Sequence, residues 1–276
     1  MRDLITVIPV ILICSSIEIF AQEKENYRLV WTEEFNTDGK PDTLKWNYEN
    51  GFVRNEELQW YQPENAYCKN GLLIIEGRRE KKRNPDYDSL SDSWRKNRKR
   101  IEYTSACLIT RDKHTWQYGR FEMRARIDVS EGMWPAWWTL GIKKRWPANG
   151  EIDIMEYYKG SLLANVLCLG KNNEQEWHTT KTPLTALGDS TWSSEFHTWR
   201  MDWTEESIAL FVDDRLLNRV AVDALVNKDG SGFNPFRQSH YMLVNLAIGG
   251  QNGGDPGNTR FPRLFEVDYI RVYQKQ

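Results

Sequence analysis

The chain has 276 residues and a mass of 32.6 kDa, a length that suits one large domain or two small ones. Its 37 basic and 39 acidic residues give a net charge of −2, which excludes a polybasic nucleic-acid binder. The aromatic content is high, with 13 Trp, 12 Tyr and 10 Phe. In a polar chain this excess indicates either a surface that stacks on sugars or a β-sandwich core rich in tryptophan.

The first 21 residues have the pattern of an export signal. A charged start at residues 1–3 is followed by an apolar run at 4–14 and by the small residue Ala21, as in a secretory signal peptide cleaved before Gln22. A lipoprotein signal ending before Cys14 is the alternative, although Ile13 is bulkier than such sites normally accept. The run is too short to cross a membrane, and no later segment reaches that length. We therefore expect an exported protein, periplasmic, extracellular or cell-surface, with no transmembrane segment.

The remaining chain predicts one antiparallel β-sandwich over residues 22–276. Apolar and charged residues alternate in 120–127, which is the period of a half-buried strand, and long amphipathic helical patterns are absent. Only three cysteines remain after export, and no zinc-ligand spacing occurs. The predicted strands, in chain order, are 27–35, 72–77, 105–110, 119–127, 151–158, 198–203, 208–212, 241–247 and 265–273.

Residues 78–100 interrupt the pattern of strands. This segment holds ten Lys or Arg and four Asp or Glu. It is interpreted as a solvated loop between two strands, with a cationic lip for a sulfated or acidic glycan as the alternative.

Three carboxylates lie close together in the predicted strand 151–158. Glu151 and Asp153 project to one face of a regular strand, whereas Glu156 falls on that face only if a bulge adds one residue near 154–155. Clustered acids repel each other and lose solvation, so at least one should hold a proton near neutral pH. A protonated acid beside an ionised one is the pair that glycoside hydrolysis uses. A calcium loop would prefer Asp, Asn and Gly in a turn, and a solvated strand would lack the neighbouring aromatic residues.

The motif at residues 150–156 resembles the signature of glycoside hydrolase family 16. Further segments are similar to the family in the same order along the chain. These segments are 30–35, 55–61, 118–122, 132–138, 146–150 and 267–273.

The resemblance implies a fold and a mechanism. The fold is a concanavalin-like β-jelly-roll sandwich of two antiparallel sheets with a concave substrate cleft. The reaction is hydrolysis of internal β-1,3 or β-1,4 bonds with retention, which requires no cofactor. Glu151 would be the nucleophile, Glu156 the general acid and base, and Asp153 the residue that tunes the nucleophile.

The resemblance also implies residues that bind substrate or metal. Matches to the family place Trp134, Trp138 and Trp146 in the cleft, or alternatively in the core, and place Asn55 and Glu57 near the cut bond. His178, in a segment at 172–183 that differs from the family, is a further candidate substrate contact. A structural calcium is possible at Glu34, Gly71 and Asp268.

The sequence leaves three functions open. The first is a laminarinase-type endo-β-glucanase acting on β-1,3- or mixed-linkage glucan. The second is a related enzyme acting on galactans or on mucin- or keratan-like glycans, because residues 164–170 and 172–183 differ from well-studied glucanases. The third is a lectin-like sandwich that binds glycans without cleaving them. In each case the partner is a glycan chain and the expected state is a monomer.

Overall fold

The computed structural model describes residues 27–276, so the predicted signal peptide and Cys14 lie outside the described residues. Seventeen strands make up most of this part of the chain. Their bounds are β1 Tyr27–Glu33, β2 Asn47–Tyr48, β3 Gln59–Tyr61, β4 Ala66–Lys69, β5 Leu72–Arg83, β6 Arg100–Ser105, β7 Cys107–Ile109, β8 Gly119–Arg126, β9 Met133–Gly141, β10 Glu151–Tyr158, β11 Ser161–Leu169, β12 Gln175–Pro183, β13 His197–Trp203, β14 Ser207–Val212, β15 Arg215–Ala221, β16 His240–Ile248 and β17 Arg263–Lys275. The one α-helix among the described residues, α1, is Gly250–Gly253.

The strands form two sheets that pack face to face. The ten-stranded sheet has the order β15-β14-β13-β8-β17-β5-β6-β3, with β1 also paired to β17 and β4 to β5. The seven-stranded sheet has the order β12-β11-β10-β9-β16-β7-β2. Every pairing in the described chain is antiparallel except that of β3 with β6. The predicted jelly-roll sandwich is confirmed, with this one parallel pair as the exception.

All nine predicted strands are present, and two of the additional strands, β9 and β11, share a feature that explains why they were missed. In β11 every residue is buried, and in β9 all but one are buried. Both strands therefore read as continuous apolar runs, without the alternation that marks a half-exposed strand.

A large apolar core lies between the sheets, and four of the 13 tryptophans are fully buried side chains, namely Trp46, Trp137, Trp199 and Trp203. A smaller apolar cluster, which includes Tyr61, Trp138 and Leu243, lies on the outer face of the seven-stranded sheet. The segment 49–61 covers this second cluster and forms one wall of a cleft. The aromatic excess therefore serves the core in part, and the remainder can serve a surface.

No helix in residues 27–276 is long and apolar enough to cross a membrane. Cys68, Cys107 and Cys168 are buried free thiols.

Candidate active site

The pairing of β10 with its neighbours places the three acids on one face. Glu151 lies opposite Leu167, Asp153 opposite Asn165 and Glu156 opposite Leu163, so between the last two pairs two residues of β10 lie opposite one of β11. The register also shifts against β9 between Asp153 and Met155. This is the predicted bulge, and it turns Glu156 to the same side as the other two acids. Apolar neighbours on the opposite side, among them Ile152 and Ile154, belong to the core.

Each acid is held by a specific donor. The indole N–H of Trp146 donates to Glu151 Oε2 at 2.6 Å, and that of Trp134 donates to Glu156 Oε1 at 2.8 Å. The amide of Asn165 donates to both Asp153 Oδ2 and Glu156 Oε2 at 2.9 Å. Asp153 is also hydrogen-bonded to Glu151. The three carboxyl groups therefore form one connected chain.

The environment of the acids raises their pKa values. Burial raises the pKa of Glu156 well above the ordinary value, and the negative charge of Asp153 adds to the rise. Burial likewise raises the pKa of Glu151, again with a contribution from Asp153. Burial raises the pKa of Asp153 to about 6, although hydrogen bonds from Asn165 and Glu151 oppose the rise. The site can therefore hold a protonated acid beside an ionised one near neutral pH.

The acids line a cleft of about 640 Å³ on the outer face of the seven-stranded sheet. Trp134, Trp138 and Trp146 line it as well, in agreement with the placement expected from sequence. Trp134 and Trp138 are largely buried, whereas Trp146 is 47% exposed. Aromatic rings at such a surface present an apolar face to a ligand while their N–H groups remain hydrogen-bonded.

The polar wall is built differently from the expectation. Asn55 lines the cleft, whereas Glu57 is buried and accepts hydrogen bonds from Asn55 at 3.3 Å and Gln59 at 2.6 Å. Glu57 therefore supports Asn55 and does not itself line the cleft. Sequence reasoning missed Arg54, which lines the cleft beside Asn55 with its guanidinium 5.0 Å from the ring centre of Trp138.

Strand β12 corrects the expectation for His178. Exposed and half-buried residues alternate along β12, with Trp177 on the cleft face and His178 on the opposite face beside Glu176. The structure therefore does not bring His178 to the substrate cleft, and the neighbouring Trp177 lines it instead. The period of a strand places the two residues on opposite faces, but only the pairing of β12 with β11 decides which of them faces the cleft.

The two carboxylates expected to bind calcium are paired with arginines. Both oxygens of Glu34 accept hydrogen bonds from Arg271 at 2.8 Å, and Asp268 is paired with Arg124 at 2.5 Å. Guanidinium groups therefore already hold the two carboxylates that a calcium ion would need. The third expected ligand, Gly71, could offer only a backbone carbonyl. A structural calcium at Glu34, Gly71 and Asp268 stays a prediction.

One other group of residues has metal-ligand chemistry. Ligand atoms of Cys168, Glu176 and His178 lie within 4.8 Å of one another. The ammonium of Lys228 contacts both carboxylate oxygens of Glu176, so a cation is already bound there.

The basic segment 78–100 is partly strand and partly loop. Strand β5 continues to Arg83 and β6 begins at Arg100, which leaves 84–99 as the connecting loop. Arg95 donates to the carbonyl of Phe52 at 3.0 Å, and Arg98 donates to the carbonyls of Glu56 and Glu57 at 2.7 and 2.5 Å. Two arginines of the loop 84–99 thus bind the protein's own backbone. This arrangement differs both from a freely solvated loop and from a cationic lip that faces a glycan.

A jelly-roll sandwich with paired acids on a bulged strand of an aromatic-lined cleft defines a glycoside hydrolase. Residues 57–271 match the model of glycosyl hydrolases family 16. The chain belongs to this family.

Relatives and solved structures agree with this assignment. The chain is 36% identical to a β-glucanase of Rhodothermus marinus over 298 aligned positions, covering 99% of this chain and 95% of that relative. The structure of the laminarinase from Rhodothermus marinus has a TM-score of 0.72 at 36% identity, covering 92% of this chain and 99% of the other. A structure from work on endo-acting O-glycanases, which prominent members of the human gut microbiota express to initiate mucin breakdown, has a TM-score of 0.82 at 32% identity, covering 91% and 92%.

Proposed function

We propose that the protein is an endo-acting retaining β-glycanase that works by double displacement. The observation that carries the proposal is the bulge in β10, which turns Glu151, Asp153 and Glu156 to one face of the cleft. Glu151 attacks the anomeric carbon while Glu156 protonates the leaving oxygen, and a glycosyl–enzyme ester forms. Glu156 then takes a proton from water, which attacks the anomeric carbon, and the bond between that carbon and Glu151 breaks.

Membership of family 16 supports retention over inversion. Retaining enzymes place the two carboxyl groups about 5–5.5 Å apart, whereas inverting enzymes leave room for a water at about 6.5–9.5 Å. Here hydrogen bonds connect Glu151 to Asp153, and Asn165 links Asp153 to Glu156. Asp153 thus shares a proton with the nucleophile and adjusts its charge.

The preferred substrate is an internal bond of a β-1,3- or mixed-linkage β-glucan. The similarity to the Rhodothermus marinus β-glucanase extends over nearly the whole chain and supports this choice. The cleft extends from Asn55 past the acids to Trp177, and a cleft of this extent supports binding of several sugars of a polymer.

A galactose-containing glycan, such as a galactan or a mucin-type chain, is the second candidate. The TM-score of 0.82 to the structure from the O-glycanase work favours it. The segments that differ from well-studied glucanases, 164–170 and 172–183, contain most of β11 and all of β12.

Product analysis separates these candidates. Residues 22–276 would be incubated with laminarin, mixed-linkage glucan, an agar-type galactan and a mucin O-glycan preparation, with chromatography and mass spectrometry of the products. Gluco-oligosaccharides from the first two substrates alone support the glucanase, and galactose-containing oligosaccharides support the second candidate. A Glu151→Gln variant should bind the cleaved glycan without turnover. Binding without products from the unmutated chain would refute hydrolysis and leave a lectin.

We propose that the protein is exported and acts as a monomer. The charged and apolar pattern of residues 1–21 supports export. Expression of the full chain followed by mass spectrometry of the mature N-terminus tests this, because cleavage before Gln22 and lipid attachment at Cys14 give different masses. Light scattering of the mature protein tests the monomer.

A further inference from the structure

Strand β12 provides a surface of the cleft that the catalytic step does not use. It is the edge strand of the seven-stranded sheet, two strands away from β10. Antiparallel pairing places Glu151 opposite Leu167 and Leu167 opposite Trp177, so the nucleophile and Trp177 lie in one row across the sheet. With strands about 4.8 Å apart, Trp177 lies about 10 Å from the nucleophile along this row. Trp177 therefore lies to one side of the acids, toward the edge of the sheet, where a further sugar of a longer chain can bind.

The exposure of Trp177 is unusual for this chain. All 13 tryptophans lie among the described residues, and only Trp146 and Trp177 are largely exposed, at 47% and 40%. Both of them line the catalytic cleft. An exposed indole leaves a large apolar area in water, and exposed apolar surface concentrated in a groove is typical of a ligand site.

The surroundings of Trp177 orient the ring and leave its face available. The indole N–H donates to Gln175 Oε1 at 3.0 Å, which fixes the ring against its own strand. Gln175 and Thr179 lie on the same face of β12, one on each side of Trp177, and both line the cleft. Their amide and hydroxyl groups are of the kind that hydrogen-bond to sugar hydroxyls.

We propose that Gln175, Trp177 and Thr179 form a distal sugar-binding subsite, which stacks a pyranose ring that is not adjacent to the cleaved bond. This β12 subsite rests on the proposed glycanase function and extends it to longer chains. It binds the apolar face of the sugar through the indole, while the flanking polar groups select among hydroxyl arrangements. The enzyme should therefore discriminate between substrates by chain length and by the sugar at this position.

The test compares Trp177→Ala and Trp177→Phe with a matched control. The control is Leu216→Ala, because Leu216 is also an exposed apolar residue, at 47%, but lies on β15 of the other sheet. Wild type and variants would be assayed on purified oligosaccharides of increasing length, prepared from whichever of the four glycans above the wild type cleaves. Thermal unfolding would confirm that each variant is folded.

The subsite predicts an effect that depends on substrate length. For long oligosaccharides, Trp177→Ala should lower kcat/KM about tenfold or more, which corresponds to about 1.4 kcal/mol. Trp177→Phe should lower kcat/KM by less than Trp177→Ala does, and Leu216→Ala should have the kcat/KM of the wild type. For the shortest cleaved oligosaccharide all four proteins should agree within about twofold. The same ratio of variant to wild type at every length, whether unchanged or reduced, would overturn the subsite.

Failure of the proposed function would be recognised separately. If the wild type cleaves none of the four glycans, hydrolysis is refuted before any variant is compared. Calorimetric titration of the same glycans into wild type and Trp177→Ala then decides the subsite on binding alone. Weaker binding by the variant supports the subsite, and equal binding overturns it.

Discussion

Arg98, in the loop 84–99, is hydrogen-bonded to the segment that forms one wall of the cleft. We therefore expect Arg98 to control substrate affinity. Asn55 and Glu56 adopt left-handed backbone conformations, with φ of 53° and 51°, which are costly for residues other than glycine. Arg98 donates to the carbonyls of Glu56 and Glu57 immediately after this turn. Its guanidinium also lies 4.9 Å from the ring centre of Phe52. We expect Arg98→Ala to relax the turn and move Asn55 out of position.

The size of the effect follows from the contacts that are lost. Hydrogen bonds from a charged donor contribute about 1.5–3 kcal/mol each, and Arg98 is partly exposed, so we take about 1 kcal/mol for each of its two bonds. The cation–π contact adds about 0.5–1 kcal/mol. A loss of about 3 kcal/mol should lower Tm by about 6–12 °C in a chain of this size. The KM for a glycan should rise at the same time, because Asn55 lines the cleft.

Thermal unfolding and steady-state kinetics test this prediction together. Lys99→Ala is the matched control, because it removes the same charge from the adjacent, exposed position. Arg98→Lys can replace one donor but cannot reach both carbonyls in the planar geometry of arginine, so it should give an intermediate result. The reasoning is wrong if Arg98→Ala has the same Tm and KM as Lys99→Ala.

Three further predictions concern the acids of β10. Glu156→Gln should lower kcat on glycans by about 10²–10⁴-fold and remove the loss of activity at high pH. For substrates with an activated leaving group, such as nitrophenyl glycosides, it should spare kcat/KM, which reports the first step, but still lower kcat, because the second step needs Glu156 as a base. Asp153 has a pKa of about 6, so the pair that it forms with Glu151 gains a second proton as the pH drops through about 6. We therefore expect kcat/KM to fall below this pH. A profile of kcat/KM that stays flat down to about pH 4.5 would contradict the prediction. Because burial raises the pKa of Glu151 in the folded state, its contribution to stability is present below its ordinary pKa and is lost as pH rises through the raised value. Glu151→Gln should therefore raise Tm at pH 8 by more than at pH 5, in paired thermal unfolding measurements.

The catalytic strand could be predicted from sequence because its information is local. The spacing of Glu151, Asp153 and Glu156 requires one extra residue for all three to share a face, and apolar residues between them fix which face is buried. The structure has this bulge between Asp153 and Glu156. Trp134, Trp138 and Trp146 lie in the cleft as expected, two of them as hydrogen-bond donors to Glu156 and Glu151.

The cleft walls could not be predicted in the same way, because their residues depend on pairing between distant segments. Trp177 and His178 are neighbours in β12, and opposite faces of a strand separate them. Which one faces the cleft depends on pairing with β11, where a slip of one residue would exchange them. Arg98 is a similar case, since its partners Glu56 and Glu57 lie about forty residues earlier in the chain.

The residues that perform the reaction and those expected to contact distant sugars lie on different parts of the sheet. The acids lie on β10, and their donors Trp134 and Asn165 lie on the neighbouring strands β9 and β11. Trp146, the donor to Glu151, lies in the segment that joins β9 to β10. The residues expected to contact sugars farther from the cut bond lie on the edge strand β12 and on the segment 49–61. Exchange of residues on these outer elements alters sugar contacts without displacing Glu151 or Glu156. The preferred substrate can therefore change while the three acids, and the reaction that they perform, stay the same.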